Sequence, residues 1–581
     1  MLIGPVFNRE VAIAPRRTRL YVARAAYVSV LGVLIVTAWM VLTGTQIVRD
    51  VGDLARFGSI VFGILAPLQL ALAMFFSAML AASAVAQEKD RRTLVLLLLT
   101  NLSNGELVLG KLLASLLHVL VMLAAGLPVF MLLALLGGVS FEQIGRVFAV
   151  TLVSVLACGS LGSTLALWRE KTFQALAMTV LVLVLWLAVW TIVDFGFLGE
   201  SWGGLSCRSW AAGFSPWHAV VEATRPQVHA DPGLGPLGNP VNLFLAVGVS
   251  VSVAINGLGI AMIRVWNPSR EARRAQPDEQ ARRREVARKP LPTRRVWDNP
   301  IIWREMRTWA YGRKILVIRL AYLMLFALAA GSLYGMVTSG QPISTARGAV
   351  ALVPLFLLSL VLVNAQAVTS LTSERDGRAL DLLLVTDLTP KEIVFGKLGG
   401  VFYNTKEMVA LPMLLCVYLC LSGNLSLENL VYLLGGLTVL YLFVATLGIH
   451  AGMQYGNSQA AIATSLGTVF FLSVGVAVCM RMMVAFSGSF HAQFPPFVIF
   501  MLGGGIGLYV ALGARNPSAA IGLASFVCPV LTFWAITSFM LGYTLGVFLV
   551  TAFAYGLATA AMLVPAIYEF DVATGRTTFE E

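Results

Sequence analysis

The chain has 581 residues, 58% of them hydrophobic and only 12% charged, with a mean hydropathy of +0.82. A soluble protein carries about a quarter charged residues, so this composition excludes a soluble enzyme and indicates a polytopic membrane protein. The formal net charge of +12 lies mostly in one linker and says little about a substrate.

The N-terminal stretch "MLIGPVFNREVAIAPRRTRL" is mixed and basic and lacks the short apolar core of a cleavable signal peptide. Apolar stretches of about 20 residues predict spans near 22–44, 57–86, 112–137, 143–168, 173–197 and 242–265. A second series falls near 315–338, 348–372, 400–422, 429–453 and 459–480, followed by 497–513, 520–540 and 543–567. The glycine-rich "FVIFMLGGGIGLYVALG" reads as a full crossing or as half of a re-entrant hairpin, so the count is 12 or 14. The six cysteines show neither a disulfide framework nor metal-ligand spacing and read as small apolar fillers.

With the N-terminus inside, all but seven of the 41 Lys and Arg fall on the cytoplasmic side, the outer ones being Arg49, Arg56, Arg146, Arg208, Arg225, Arg347 and Arg481. This bias follows the positive-inside rule and predicts a cytoplasmic (inner) membrane protein with both termini cytoplasmic. The basic linker "RVWNPSREARRAQPDEQARRREVARKPLPTRR" has the composition of a nucleic-acid-binding run. In a membrane protein it reads instead as a segment held against anionic lipid headgroups, with membrane lipids and no nucleic acid as partners.

The sequence repeats itself. At an offset of 286, "EKDRRTLVLLLLTNLSNGELVLGKL" falls on "ERDGRALDLLLVTDLTPKEIVFGKL" without a gap, with 14 of 25 positions identical. The same offset carries Leu161-Gly162 onto Leu447-Gly448, and an offset of 295 carries Arg24-Ala25-Ala26-Tyr27 onto Arg319-Leu320-Ala321-Tyr322 and "PVFNRE" onto "PIIWRE". The expected fold is all-α: two homologous modules of six spans, or eight in the second, in a parallel pseudo-two-fold arrangement. Residues 1–265 form the first module, 266–299 the linker and 300–581 the second.

Gly105, Gly110 and Lys111 imitate the G-x-x-x-x-G-K opening of a phosphate-binding P-loop. Leu112 and Leu398 stand where that loop needs a Ser or Thr for magnesium, and the second copy has Pro390 in place of Gly105. What both copies share is a capping box, Ser103 to Glu106 and Thr389 to Glu392, with Pro390 at a first helical position. Gly110 and Lys111 then sit inside a helix, and Lys111 and Lys397 are expected to reach toward lipid headgroups. No ATPase activity, cofactor or metal site is expected of this chain. "CLSGNLSLE" similarly imitates an ATPase signature but falls in a predicted outer loop.

The short apolar stretches "TLVLLLLT" and "ALDLLLVT" lie between the repeated charges and the capping boxes. They read either as interfacial anchors or as a docking surface. The retained Glu88, Asp90, Arg92, Thr100 and Glu106, with Glu374, Asp376, Arg378, Thr386 and Glu392, favour docking.

At these residues the sequence resembles a permease of the type-2 (exporter) family of ABC transporters, with two tandem permease modules in one chain. That family carries a charged turn, Gly-Thr-Leu or similar, a Leu-rich stretch, a Thr, and a Ser/Thr-x-x-Glu ahead of a Gly-Lys. Arg92 stands where the family often has Gly, and Ala379 replaces Thr. The resemblance implies a translocation path for an exported substrate. It also implies a separate cytoplasmic ABC ATPase, in two copies, docking after the second span of each module. A secondary transporter without ATP is the competing reading, but His118, Asn256, Asn364 and Gln366 are the main polar residues deep in the spans, with no Asp or Glu among them. A membrane-embedded enzyme would need paired carboxylates near an interface; Glu88 and Asp90 have that form but are surrounded by Lys89, Arg91 and Arg92.

Overall fold

The computed structural model describes residues 4–13, 18–45, 50–194, 201–202, 205–227, 238–267, 297–307, 315–338, 345–486, 490–514 and 517–568. Most of the basic linker lies outside the described residues, as does the segment after 568. The protein is an all-α, multi-pass membrane protein; its only described strands are the two-residue pair β1 (Ser201–Trp202) and β2 (Leu205–Ser206).

The first half runs α1 (Pro5–Ile13), α2 (Thr18–Thr45), α3 (Val51–Asp90), α4 (Thr93–Leu98), α5 (Asn104–Leu135), α6 (Phe141–Trp168) and α7 (Thr172–Asp194). The β pair and the short helices α8 (Cys207–Phe214) and α9 (Pro216–Ala223) lead to α10 (Pro240–Trp266). The second half runs α11 (Pro300–Arg307), α12 (Ile315–Thr338), α13 (Thr345–Asp376), α14 (Ala379–Leu384), α15 (Pro390–Asn404), α16 (Lys406–Leu421), α17 (Leu427–Gln454) and α18 (Ser458–Ala485). It ends with α19 (Phe490–Leu512), α20 (Ala519–Met540) and α21 (Thr544–Tyr568). Thirteen of these helices are long and apolar enough to cross a membrane, or 14 with α15 and α16 taken together as one bent span. Six fall in the first half, and the remainder make the second the larger.

The packing of α3 on α6 is matched by that of α13 on α17, and α10 on α6 by α21 on α17. A glycine sets each of the first two crossings. A Cβ on Gly162 would stand 2.5 Å from the Ala78 carbonyl oxygen, and one on Gly448 would stand 2.9 Å from that of Asn364. Both are backbone approaches that only a residue without a side chain permits. The halves meet where α3 packs on α18 and α7 on α12 and α13. There Phe75 stacks on Phe470 at 4.3 Å. The added helix α19 lies against α2 of the first half.

One expected span is broken. The segment read as 400–422 belongs to α15 and α16, which meet at 60° around Thr405. Pro412 has no N–H to offer the Met408 carbonyl one turn back. That carbonyl instead accepts hydrogen bonds from the Tyr322 hydroxyl at 3.1 Å and the Ser359 hydroxyl at 2.5 Å. The orphaned group is thus satisfied by α12 and α13, which lets a proline persist inside α16 in an apolar layer.

Candidate functional site

Helix α3 has 40 residues, about 60 Å at 1.5 Å per residue, roughly twice the hydrocarbon thickness of a bilayer. Its C-terminal end, carrying the repeated charges, therefore extends past the apolar layer. The chain turns through α4 and re-enters along α5, forming an elbow; α13, α14 and α15 form a second one. The turn residues Arg92 and Arg378 adopt φ of 61° and 56°, the only positive φ values of non-glycine residues among those described. Each costs about 1–2 kcal/mol relative to an ordinary conformation. Both side chains are exposed.

The charges just before these turns secure the elbow from inside. The Lys89 ammonium donates to the carbonyls of Leu167 and Arg169, the latter at 2.9 Å. Arg375 donates to those of Tyr455 and Met453, the latter at 3.0 Å. These acceptors end α6 and α17, where helix carbonyls lack partners and the dipole favours a cation. Asp90 accepts from the Thr172 hydroxyl at 2.5 Å, and Asp376 from the Ser458 hydroxyl at 2.6 Å. Thr172 and Ser458 begin α7 and α18, where the dipole favours an anion. Each base–acid pair thus clamps the corner between two spans, and all of these partners repeat at the offset of 286. Asp376 also binds Arg91 of the other half at 3.0 Å, and Gln87 donates to Asn457 at 3.0 Å.

Lys111 and Lys397 do not reach toward headgroups as the sequence suggested. They are 8% and 2% exposed. Lys111 pairs with Glu88, while Lys397 binds Glu374 at 2.6 Å and Glu305 at 2.8 Å, and Arg304 joins both carboxylates. Their carboxylate partners sit one turn of packing away on another helix, so burying the ammonium costs less than leaving those carboxylates unpaired. Burial pushes the Glu305 carboxyl up, but Lys397 and Arg304 pull it below its ordinary value. Gly110 and Lys111 lie within α5, with their geometry set by the Ser103–Glu106 capping box. The Thr389–Glu392 box starts α15 in the same way, with Pro390 in its first turn.

Of the ten nominated residues, Glu88, Glu374, Asp90 and Asp376 therefore face internal partners, and Glu106 and Glu392 cap helices. Thr100 and Thr386 each donate to a carbonyl of their own short helix at 2.6 Å. Arg92 and Arg378 stand outward. The sequence reading named Lys89 only as a basic neighbour of Glu88 and Asp90 and passed over Arg375, although their shared basic character at equivalent positions was a visible signal. It also did not single out Leu96, Leu99, Leu382 and Val385, which are 64 to 84% exposed on α4, α14 and the residues just after them. Each elbow thus presents a protruding apolar tip beside an outward arginine.

Residues 21–203 match the family model of the ABC-2 family transporter protein, a stretch that contains α3, α4 and α5 entire. No curated protein and no solved structure matches the chain.

Proposed function

We propose that this ABC-2-type permease is the membrane-spanning part of an exporter, built of two tandem modules, and that each elbow docks one copy of a separate cytoplasmic ABC ATPase. The observation that carries the reading is the repetition of an outward apolar tip, Leu96 and Leu99 in one elbow and Leu382 and Val385 in the other, on a scaffold of matched internal bonds. Exposed apolar residues beyond the bilayer have neither lipid nor core to cover them, and a protein groove would. The strained arginines Arg92 and Arg378 supply a charge beside each tip.

In this reading Glu88, Glu374, Asp90 and Asp376 are positioning residues. They tie the elbow to α5 or α15 and to the corner before α7 or α18, so a push on the tip moves several spans together. Drawing the two elbows together or apart would rock the halves about the α3–α18 and α7–α13 contacts. Substrate would move along the path between them. Both termini and both elbows face the cytoplasm, in keeping with the charge bias.

Photo-crosslinking residues placed at Leu96 and Leu382 in cells test this. The expected product is a crosslink from each position to a protein that binds immobilised ATP and carries ABC ATPase sequences on mass spectrometry. Crosslinks to lipid alone would make the tips interfacial anchors.

A further inference from the structure

Arg24 of α2 and Arg319 of α12 occupy equivalent positions, but their surroundings differ. Arg319 forms an ion pair with Glu407 at 3.4 Å. The first-half position equivalent to Glu407 is Val121, and among the described residues no carboxylate lies within ion-pair distance of Arg24. Arg24 instead lines a cavity of about 150 Å³ between α1, α2 and α5. Val121 itself forms part of the wall, with Leu20, Leu117 and His118. Val11, in the wall, and Tyr21, beside it on α2, are exposed, so the cavity opens at the outer surface of the helices. Arg24 lies four residues into the apolar stretch Leu20–Gly44, about 6 Å from its start at 1.5 Å per residue, so its long side chain reaches headgroup level.

We infer that this cavity binds one anionic phospholipid: its phosphate pairs with Arg24 in the place that Glu407 takes in the second half, and its glycerol end and upper acyl chain lie along the apolar wall. A guanidinium suits a phosphate by its planar set of donors and needs a counter-charge when partly withdrawn from water. A soluble anion would leave the apolar wall and the adjoining lipid-facing surface unfilled. A phospholipid fills both.

The test uses the full chain purified in detergent and equilibrated with mixed micelles of phosphatidylglycerol and phosphatidylcholine, with retained lipid counted by native mass spectrometry. The wild type should keep one phosphatidylglycerol in preference to phosphatidylcholine. Arg24→Gln should lower that preference roughly five- to tenfold. Val121→Glu, which supplies the internal carboxylate of the second half, should do the same while Arg24 remains. Arg24→Gln alone decides the matter if Val121→Glu aggregates on size exclusion. An unchanged preference in Arg24→Gln overturns the inference, and so does release of the lipid by excess inorganic phosphate, which would make the site one for free phosphate.

Discussion

The two elbows share a scaffold and differ in how they hold their central lysine. In the second, Lys397 stands between Glu305 and Glu374, with Arg304 closing the group, and Glu374 is 16% exposed. In the first, Lys111 has Glu88 as its ion-pair partner among the described residues, and Glu88 is 31% exposed. The four-membered group ties α11, α13 and α15 into one unit, and among the described residues the first-half pair joins α3 to α5. The bent span formed by α15 and α16 begins with the helix that carries Lys397. A duplicated framework can thus keep its hydrogen-bond plan while water reaches its central carboxylate to different extents.

Removing the lysines should expose that difference most strongly. Lys397→Met leaves two buried carboxylates sharing Arg304 as their cation and should cost about 3–5 kcal/mol, read as a lower melting temperature in detergent. Lys111→Met should cost less, about 1–3 kcal/mol, because water reaches Glu88. Equal losses would mean that the two groups are energetically alike. The acid limb of stability should sharpen the same contrast. Glu305 has its folded-state value lowered, so its contribution is complete above the ordinary carboxylate range and is lost as pH falls through the lowered value. Glu305→Gln should flatten that part of the melting profile, and an unaltered profile would count against the pairing.

Smaller effects should be alike in the two elbows. Glu106→Ala and Glu392→Ala each remove half of a capping box and should cost about 0.5–2 kcal/mol, in matching amounts, by the same thermal measurement. Arg92→Gly and Arg378→Gly release the positive-φ strain and should raise stability by about 1 kcal/mol each. If the arginines serve docking, the same variants lose crosslinking yield at Leu96 and Leu382 while gaining stability. Gain without loss would make the arginines irrelevant to docking.

The sequence by itself determined the all-α membrane-spanning class, since only helices with all backbone groups paired internally fit such long apolar stretches. It determined the helix starts at Ser103 and Thr389 as well, because a capping box is a contact between residues three apart and needs no tertiary partner. It also showed the repeat, and with it that Gly110 and Lys111 do not form a phosphate loop. Tertiary structure alone decided what the charges do. Lys397 meets Glu305 across 92 residues, and Lys89 meets Arg169 across 80. Which carboxylate or carbonyl lies opposite a lysine depends on how helices pack, and hydropathy and periodicity do not encode that. The break at Thr405 was not read from the sequence, which predicted 400–422 as one span. That the carbonyl freed by Pro412 finds the hydroxyls of Tyr322 and Ser359 depended on helices α12 and α13 lying beside it.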